Sequence, residues 1–479
     1  MEGMKRMGKL TIGFAGLNFS NFAAEEYGVF PKAKSVLGQL ARNWDFNLVS
    51  ADTTIQTSDE TEALCRQFED AKVDFVLVQS SSFSMGDVFL PLGRMQKPLG
   101  LWALREPSFE GQNPLNSFTG FHMLTSIARE YITERVLPIK WFFGDPESSL
   151  FQRRLKLSIQ SLSALKKLRG TRVALVGDIA PTFYQLTYDT KHIEKRLGVI
   201  VEQIPITKVF AKTGGYSQTL LSDLTIEMKK RAARIDVSDE WMNQTSRVVL
   251  ALRDVALMGE YDALALRCFP EFQNEMDGLG PCAAVGWLNE TGLPVACEGD
   301  VMSALSMLVL NLLSNQPTTV FDMAAIDIEN GLAQLWHCGA SPPSLADEQG
   351  QSLIYHPTLD RASPQGAKPH GTSSDLLVAP GPVTVFRFTP KADKAFIMLA
   401  DSVKGPTRGY NGSRAWLSNF RIKGERMGIL DLIETITFNG LPQHYPMVHG
   451  DWNDVLHELI AWSGIEALEK VEYRDYLVS

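Results

Sequence analysis

The sequence predicts an α/β protein: two Rossmann-like or flavodoxin-like α/β domains with parallel sheets, followed by a mainly β C-terminal domain. Three observations predict this order. Apolar runs alternate with helical stretches of about 10–15 residues in the first third of the chain, and the alternation restarts after residue 170. Beyond a loop-rich segment at 341–381, strand-like runs are joined by short turns. The predicted domains are residues 1–168, 169–340 and 341–479.

The first domain is predicted from its strands and helices in order. Its apolar strands are 10–17, 46–52, 73–81 and 97–104, and its helices are 30–44 and 58–71. The run Leu10–Leu17 follows Lys5, Arg6 and Lys9, but it is short and no small-residue cleavage site follows it. This run is therefore interpreted as a first buried strand rather than as a signal peptide.

The second domain repeats the same alternation, and the third does not. A helix at 150–170 precedes the strand 171–178, and further strands are predicted at 199–206, 262–269 and 293–300. The apolar helix 301–314 follows, with Asp300 placed to cap it. In the third domain, strands at 382–390 and 395–401 precede a closing helix at 454–470. In parallel sheets, ligands bind beyond the carboxyl ends of the strands.

Charge and composition exclude several classes of protein. The 479 residues carry 46 Lys and Arg against 55 Asp and Glu, a formal net charge of −9, with no basic block, so no nucleic-acid partner is expected. Five cysteines are too few for a disulfide framework. No apolar run reaches the roughly 18 residues of a transmembrane helix, so no membrane partner is expected. These observations predict a cytoplasmic protein with a small-molecule partner.

Nucleotide and serine-hydrolase motifs are absent. The first strand is not followed by G-x-G-x-x-G, and the chain contains no G-x-x-x-x-G-K-[ST], G-x-S-x-G or H-E-x-x-H. No nucleotide cofactor is therefore predicted.

Two carboxylates stand at the ends of apolar runs. Glu298 ends LPVAC and Asp322 ends PTTVF, and both are predicted at the carboxyl ends of parallel strands. They are 24 residues apart, about one strand–helix–strand repeat, so neighbouring strand ends can bring them to one site. Such a pair can bind a metal, act as general acid and base, or do both. The alternative is that Glu298 only favours a helix N-terminus and Asp322 is a turn residue.

Histidines supply further candidate ligands. His337 lies in LWHCGAS, and His444 and His449 lie in QHYPMVHGD. Carboxylates combined with one or two imidazoles form a mixed nitrogen and oxygen site. This site favours Mn²⁺, with Co²⁺ or Mg²⁺ as alternatives. Taken singly, each histidine also fits a structural or surface position.

These segments resemble a known family. RCFPEFQ, LPVACEGDVMSALSMLVLNLLSNQPTTVFDM and LWHCGAS are similar to the catalytic core of the L-fucose isomerase and L-arabinose isomerase superfamily. QHYPMVHGDWNDVLHELIAWSGIEAL resembles its closing segment, which carries a metal ligand, and SFTGFHML is similar to an N-terminal element. The chain is shorter than typical L-fucose isomerases. The resemblance implies an aldose–ketose isomerase that binds a divalent metal, usually Mn²⁺, and works through an enediolate.

The resemblance also implies roles for individual residues. Glu298 and Asp322 match the two metal-binding acid/base carboxylates, and His444 matches the C-terminal metal-ligand histidine. His337 stands where the arabinose branch has a ligand histidine and the fucose branch does not, so ligation and pocket lining both stay open. The predicted metal ligands are therefore Glu298, Asp322, His444 and His337. The family forms cyclic oligomers, which implies a homotrimer or homohexamer with sites at subunit interfaces, and His122 as a substrate contact from a neighbouring subunit.

Groups for the far end of a sugar come from several segments. The candidates are Arg267, Glu271, Trp336, Arg408 and Arg414. Arg267 also fits a salt-bridge partner on a helix, and Arg408 and Arg414 also fit a solvated loop. Substrates implied by the resemblance are L-fucose, L-arabinose and D-arabinose, and a C6-sulfonated hexose such as sulfoquinovose is the alternative that needs a cationic subsite. A non-catalytic sugar-binding protein and a metal-dependent aldolase or epimerase are the competing functions.

Overall fold

The computed structural model describes residues 8–359 and 370–478, which fold into two compact units. Among the described residues, the first unit comprises 8–166 and Glu458–Gly464. The second comprises 167–359, 370–457 and 465–478. Within the described residues, 8–359 and 370–478, no helix is both long and apolar enough to cross a membrane.

A parallel five-stranded sheet forms the first unit. Its strands are β1 (Thr11–Leu17), β2 (Asn47–Ser50), β3 (Phe75–Ser80), β4 (Leu99–Ala103) and β5 (Ile139–Phe143), in the order β2-β1-β3-β4-β5. Its helices are α1 (Val29–Asn43), α2 (Ser58–Asp70), α3 (Gly86–Arg94), α4 (Ser117–Ser126) and α5 (Ser149–Leu168). Every residue of β1, β3 and β4 is buried, as in parallel strands covered by helices on both faces.

The segment Glu458–Gly464 completes the core of the first unit. Trp462 packs edge-on against Phe75 of β3, with ring centroids 6.0 Å apart. Glu458 forms an ion pair with Lys140 of β5, and both side chains are nearly buried. Ser158 of α5 donates a hydrogen bond to the same carboxylate at 2.6 Å. This segment is therefore attached to the unit by both packing and charge.

A smaller parallel sheet opens the second unit. Its strands are β6 (Arg172–Val176), β7 (Ile200–Ile204), β9 (Ala263–Leu266) and β10 (Val295–Ala296), in the order β10-β9-β6-β7. Its helices are α6 (Thr190–Leu197), α7 (Thr207–Thr213), α8 (Gln218–Arg231), α9 (Asp239–Gly259), α10 (Glu271–Glu275), α11 (Cys282–Glu290) and α12 (Val301–Ser314). The first ten residues of α12 are all buried, which is the pattern of a helix enclosed by protein.

Six antiparallel strands close into a β-barrel in the second unit. They are β11 (Thr319–Asp327), β12 (Leu332–His337), β15 (Gly381–Phe388), β16 (Lys394–Val403), β17 (Ser413–Ile422) and β19 (His444–His449). The pairing runs β16-β15-β19-β11-β12-β17, and β17 pairs back with β16. One face of the strands is apolar and carries residues such as Phe321, Leu335, Met398 and Met447. Closure leaves these six strands without a free edge between them.

Five further strands belong to the second unit: β8 (Ala232–Ile235), β13 (Gln351–Tyr355), β14 (Thr372–Leu377), β18 (Glu425–Arg426) and β20 (Glu466–Ala467). The helix α13 (Ile429–Phe438) also belongs to it, whereas α14 (Asn453–Trp462) begins in residues of the second unit and ends in the segment assigned to the first. β14 joins β17, and β13 connects β14 to β8, so strands extend the barrel sheet on one side.

The predicted fold class is confirmed: two parallel-sheet α/β parts precede a largely β sheet. One local prediction is wrong. β11 was expected as a parallel strand that ends at Asp322, but β11 is antiparallel to β12 and β19, and Asp322 lies inside it. The barrel also begins at Thr319, before the predicted boundary at residue 340. An apolar run alone does not distinguish a parallel strand from an antiparallel one.

Candidate functional site

Glu298 lies in the tight turn between β10 and α12, beyond the carboxyl end of its strand. Its φ angle is 61°, in the left-handed region that residues other than glycine rarely adopt. The Glu298 carbonyl accepts a hydrogen bond from Ala180 N–H at 2.9 Å, which fixes the turn against the loop after β6. Backbone strain of this kind is characteristic of functional sites.

Gly299 is required by the same turn. Its φ angle is 72°, and a Cβ atom there would lie 2.3 Å from the carbonyl oxygen of Asp178. Its N–H donates to the carbonyl of Leu266, the last residue of β9, at 3.0 Å. The turn is therefore held between two neighbouring strand ends, and this fixes the position from which the Glu298 side chain starts.

Four residues of the barrel stand opposite one another on neighbouring antiparallel strands. His444 of β19 pairs with Asp322 of β11, Asp322 pairs with Trp336 of β12, and Trp336 pairs with Arg414 of β17. Directly opposite residues in antiparallel strands project from the same face. Their strand neighbours Phe321, Leu335 and Tyr445 belong to the apolar core cluster. We call His444, Asp322, Trp336 and Arg414 the cross-strand row.

Glu298 meets the cross-strand row at its His444 end. Glu298 Oε2 lies 3.1 Å from His444 Nε2, and Asp322 Oδ1 lies 3.7 Å from the same nitrogen. Gln443 Nε2 donates to Glu298 Oε2 at 3.3 Å. Asp322 was predicted to meet Glu298 through adjacent parallel strand ends. The structure instead brings them together through β19, which lies beside β11 in the barrel.

His337 completes a cluster of candidate metal ligands. One ligand atom each from Glu298, His337 and His444 lies within 4.8 Å of the others. The Cys338 N–H donates to His337 Nδ1 at 2.9 Å, which in a neutral ring places the proton on Nε2, so metal ligation through Nε2 would require that proton to leave. The ring centroids of His337 and His444 are 5.7 Å apart. Of the predicted metal ligands, these three form the group, and Asp322 lies beside it with Oδ1 3.7 Å from His444 Nε2.

The donor set fits a divalent cation. His337 Nε2, His444 Nε2 and Asp322 Oδ1 are buried atoms without a hydrogen-bond partner. Buried polar atoms normally have partners. Three unpartnered ligand atoms close to one another therefore indicate a place where a cation can bind. Two imidazoles and two carboxylates give the mixed nitrogen and oxygen environment that suits Mn²⁺ or Co²⁺ better than Ca²⁺.

The electrostatics of the cluster also favour positive charge. Burial alone would lower the pKa of His444, but hydrogen bonding to Asp300 and the nearby Glu298 carboxylate raise it to about 9. Burial likewise opposes protonation of His337, but the neighbouring Cys338 and Asp322 raise its pKa to about 10. Burial raises the pKa of Asp322, and the two imidazoles partly counteract this effect. The carboxylates thus create a negative potential where a cation would bind.

Asp300 and Arg387 form a buried support behind His444 that the sequence prediction did not include. Asp300 was predicted only as the cap of α12, and it does cap it by accepting the Ser303 N–H at 2.9 Å. The same carboxylate contacts His444 Nδ1 at 2.8 Å and Arg387 Nη1 at 2.8 Å. Burial would raise the pKa of Asp300, but Arg387 and His444 hold it well below its usual range. The sequence feature that could have indicated this role is the position of Asp300, two residues after Glu298.

Arg267 and Glu271 pair with each other near the strand end after β9. Arg267 Nη2 lies 2.9 Å from Glu271 Oε1, and both side chains are mostly buried. Arg267 Nε and Glu271 Oε2 are buried without a hydrogen-bond partner. The structure therefore contains the salt bridge that was the alternative for Arg267, and both residues also retain an unsatisfied polar atom.

Trp336 and Arg414 form the other end of the cross-strand row, and Arg408 lies in the loop before β17. Trp336 Nε1 donates to the Asn411 carbonyl at 2.7 Å. The fully buried Arg414 forms an ion pair with Asp375, and the half-exposed Arg408 donates to the same carboxylate at 2.9 Å. Arg414 Nη2 has no hydrogen-bond partner. These arginines are therefore fixed by Asp375 rather than placed in a freely solvated loop.

His122 lies in the first unit and is not among the residues gathered at this cluster. It is exposed on α4, with its ring centroid 4.3 Å from that of Phe118. The predicted contact of His122 with a neighbouring subunit's substrate is not tested by a single chain and stays a prediction.

Known proteins similar to this chain carry a shared name. A sulfoquinovose isomerase of Priestia megaterium (strain ATCC 12872 / QMB1551) is 26% identical over 420 residues, which cover 86% of this chain and 89% of the relative. One from Alkalicoccus urumqiensis is 26% identical over 391 residues, covering 81% and 84% of the two chains. One from Clostridium sp. (strain MSTE9) is 25% identical over 385 residues, covering 79% and 81%. No protein-family profile matches the chain.

The similarity of this chain to solved structures is weak. An ABC transporter solute-binding protein from Agrobacterium vitis, bound with α-D-tagatopyranose, aligns at 10% identity over 64% of this chain and 90% of its own. Its TM-score is 0.17, which is too low to indicate a shared architecture.

Proposed function

We propose that this chain is a divalent-metal-dependent aldose–ketose isomerase that acts on a C6-sulfonated hexose of the sulfoquinovose type. The enzyme class follows from the relatives, because similarity to sulfoquinovose isomerases extends over most of both chains. Metal dependence is supported by one observation: the ligand atoms of Asp322, His337 and His444 are buried and unpartnered around a common point beside Glu298. Membership of the L-fucose and L-arabinose isomerase superfamily is part of the proposal.

The four candidate ligands hold the cation, and Mn²⁺ is the one we propose. When bound, a divalent cation acts as a Lewis acid that polarises the sugar carbonyl, an effect worth several kcal/mol. Glu298 and Asp322 then share the acid and base roles. One carboxylate removes the proton from C2 and returns it to C1, while the other moves the proton between the two oxygens. Each such transfer contributes about 10²–10⁴-fold.

This exchange keeps atoms and charge in balance. The proton lost at C2 reappears at C1, and the carbonyl moves from C1 to C2 without an external oxidant or reductant.

The far end of the sugar is proposed to lie along the cross-strand row. Trp336 is next to Asp322 in the row and offers an indole toward a sugar ring, and Arg414 stands on the strand beyond it. Neighbouring strands are about 4.8 Å apart, so Arg414 starts about 10 Å from Asp322, a distance comparable with the length of a hexose. Arginine binds sulfonate-like oxyanions through its planar set of N–H donors.

Charge supports this end of the row as the sulfonate subsite. Arg408 and Arg414 share one carboxylate, Asp375, although Asp347 adds a weaker negative influence on Arg414. Arg267, by contrast, has its own carboxylate partner in Glu271. We therefore place the sulfonate with Arg408 and Arg414, and we place Arg267 and Glu271 beside the polar groups nearer Glu298.

The test is to incubate the Mn²⁺-loaded protein in D₂O with sulfoquinovose, L-fucose, L-arabinose and D-arabinose, and to follow the products by NMR. The expected result is a sulfonated ketose with the same carbon count that carries deuterium at C1. Cleavage into shorter fragments would indicate an aldolase, and inversion at one carbon without a ketose would indicate an epimerase. Binding of sulfoquinovose without any product would indicate a sugar-binding protein and overturn the proposal.

A further inference from the structure

We propose that Asp300 is a positioning residue for His444: with Arg387 behind it, its carboxylate holds the imidazole with Nδ1 protonated and Nε2 directed at the metal position. This inference rests on the proposed function, because it concerns the same cation site. Asp300 thereby has a second role, in addition to capping the N-terminus of α12.

The contacts of Asp300 require it to be an ionised acceptor. Its side chain is fully buried, and Oδ2 contacts Ser303 Oγ at 2.7 Å, Arg387 Nη1 at 2.8 Å and His444 Nδ1 at 2.8 Å. Oδ1 accepts the Ser303 N–H at 2.9 Å and contacts Arg387 Nη2 at 3.3 Å. An ionised carboxylate can only accept hydrogen bonds, so the proton of the His444 contact belongs to Nδ1.

This arrangement selects the tautomer of His444. In a neutral imidazole with a proton on Nδ1, Nε2 carries the free lone pair. In the structure, His444 Nε2 is buried without a hydrogen-bond partner and lies 3.1 Å from Glu298 Oε2. The ring is therefore oriented with its ligand atom toward the other candidate ligands.

Arg387 fixes both partners of this contact. Its guanidinium is buried, binds both oxygens of Asp300 and also donates to the His444 carbonyl at 3.3 Å. It belongs to β15, which pairs with β19 in the barrel. The same guanidinium thus binds the Asp300 carboxylate at the start of α12 and the backbone of the strand that carries His444. Arg387 therefore fixes the position of Asp300 relative to His444.

The test measures binding of Co²⁺ alone to chelator-treated full-length protein, by calorimetry and by visible absorption, in the wild type, Asp300→Asn and Asp189→Asn. Asp189 is a matched control because it also caps a helix, α6, and also contacts a histidine, His192, at 2.8 Å. It is partly exposed and no part of the candidate cation site. Both variants lose a helix-cap carboxylate.

Asp300→Asn is expected to weaken Co²⁺ binding about 10–100-fold and to change the visible Co²⁺ spectrum, as expected for loss of an outer partner of a ligating histidine. Asp189→Asn should bind Co²⁺ like the wild type, whatever its melting temperature. If Asp300→Asn does not fold, Arg387→Lys takes its place, with an expected loss of several-fold because one arm of the paired contact remains. Wild-type Co²⁺ affinity in the folded variant would overturn the inference.

The two proposals can fail separately. A wild-type protein that isomerises the sugar and binds Co²⁺, beside an Asp300→Asn protein with unchanged Co²⁺ affinity and spectrum, overturns only the role of Asp300. A wild-type protein that does not bind Co²⁺ at all overturns both the metal site and the positioning role. Equal loss of Co²⁺ affinity in Asp189→Asn would show a general effect of lost helix caps and would also overturn the inference.

Discussion

Asp322 and His444 face each other across the β11–β19 pair, with Asp322 Oδ1 3.7 Å from His444 Nε2. Two residues that are far apart in sequence are thus placed by a single step of strand pairing. Glu298 reaches the same nitrogen from the turn before α12, at 3.1 Å. The cluster is therefore assembled from a parallel-sheet turn and a barrel strand pair, and a change in any one of the three carboxylate or imidazole groups should affect the other two.

Glu298→Gln should reduce turnover by at least about 10²-fold and weaken Mn²⁺ binding at the same time, because it removes a charged ligand and an acid/base group together. Steady-state kinetics and Mn²⁺ titration measure the two effects. Asp327→Asn is the control, since Asp327 is a partly exposed carboxylate at the end of β11 that bonds within its turn to Asn330. Retention of both activity and Mn²⁺ affinity in Glu298→Gln would remove this residue from the site.

His337→Gln should weaken Mn²⁺ binding at least about tenfold, which corresponds to 1.4 kcal/mol, because the unpartnered His337 Nε2 is one of the clustered ligand atoms. Calorimetric titration with Mn²⁺ measures the change. His449→Gln, at the far end of β19, should leave the affinity unchanged. If His337→Gln binds Mn²⁺ as tightly as the wild type, His337 lines the pocket without ligating.

Arg408→Gln should raise the KM for a sulfonated hexose about 10–100-fold while kcat changes little, since a hydrogen bond to a charged group contributes about 1.5–3 kcal/mol. The KM for a neutral aldose should stay the same. Arg421→Gln is the matched control: this arginine is also paired with one aspartate, Asp401, at 3.2 Å, elsewhere on β17. A uniform rise of KM for sulfonated and neutral sugars would argue against a sulfonate contact.

Glu458→Ala should destabilise the first unit by about 3–5 kcal/mol, because it leaves the buried Lys140 ammonium without its counter-charge. Urea unfolding measures the change. Glu466→Ala breaks an exposed pair with Lys394 and should cost less than about 1 kcal/mol. The double replacement Lys140→Met with Glu458→Leu should recover much of the loss. A Glu458→Ala protein as stable as Glu466→Ala would contradict the assignment of this pair as a buried one.

Alkaline pH should destabilise the protein through Cys65. Burial, together with the nearby Glu69 and Glu62, raises the pKa of this thiol to about 12 in the folded chain, from an ordinary value of 9.0. Below about pH 9 both the folded and unfolded chains keep the proton, so Cys65 adds no pH dependence there. Between about pH 9 and pH 12 only the unfolded chain loses it, so the free energy of unfolding falls as pH rises.

The measurement for Cys65 is the melting temperature at pH 8 and pH 10.5 under reducing conditions. Wild type should lose more stability over this interval than Cys65→Ala, which lacks the titrating group. Parallel losses in the two proteins would show that the alkaline effect comes from other residues.

Much of the candidate cluster could be predicted because its members carry a local sequence signature. Glu298, Asp322, His337 and His444 each follow or sit beside an apolar run, and the structure brings all four together. The route by which they meet was predicted wrongly. The apolar run before Asp322 is compatible with a parallel or an antiparallel strand, and only its pairing with β12 and β19 distinguishes the two.

The support behind the cluster could not be predicted from local pattern. Arg387 lies in an otherwise apolar strand, and nothing in the neighbouring sequence shows that Asp300 is its partner 87 residues earlier. Closure of the barrel likewise depends on the β16–β17 pairing, which is set by the geometry of all six strands together. Non-local pairings of this kind are decided by the whole fold.

The position of β19 in the barrel has a consequence for biosynthesis. This strand joins β11 to β15 and carries His444, yet it is the last of the six barrel strands to leave the ribosome. A nascent chain that has not reached His449 can therefore form the Glu298 turn and the β11–β12 hairpin but has no closed ring. In the proposed metal-dependent enzyme, capture of a cation through His444 would follow the emergence of β19.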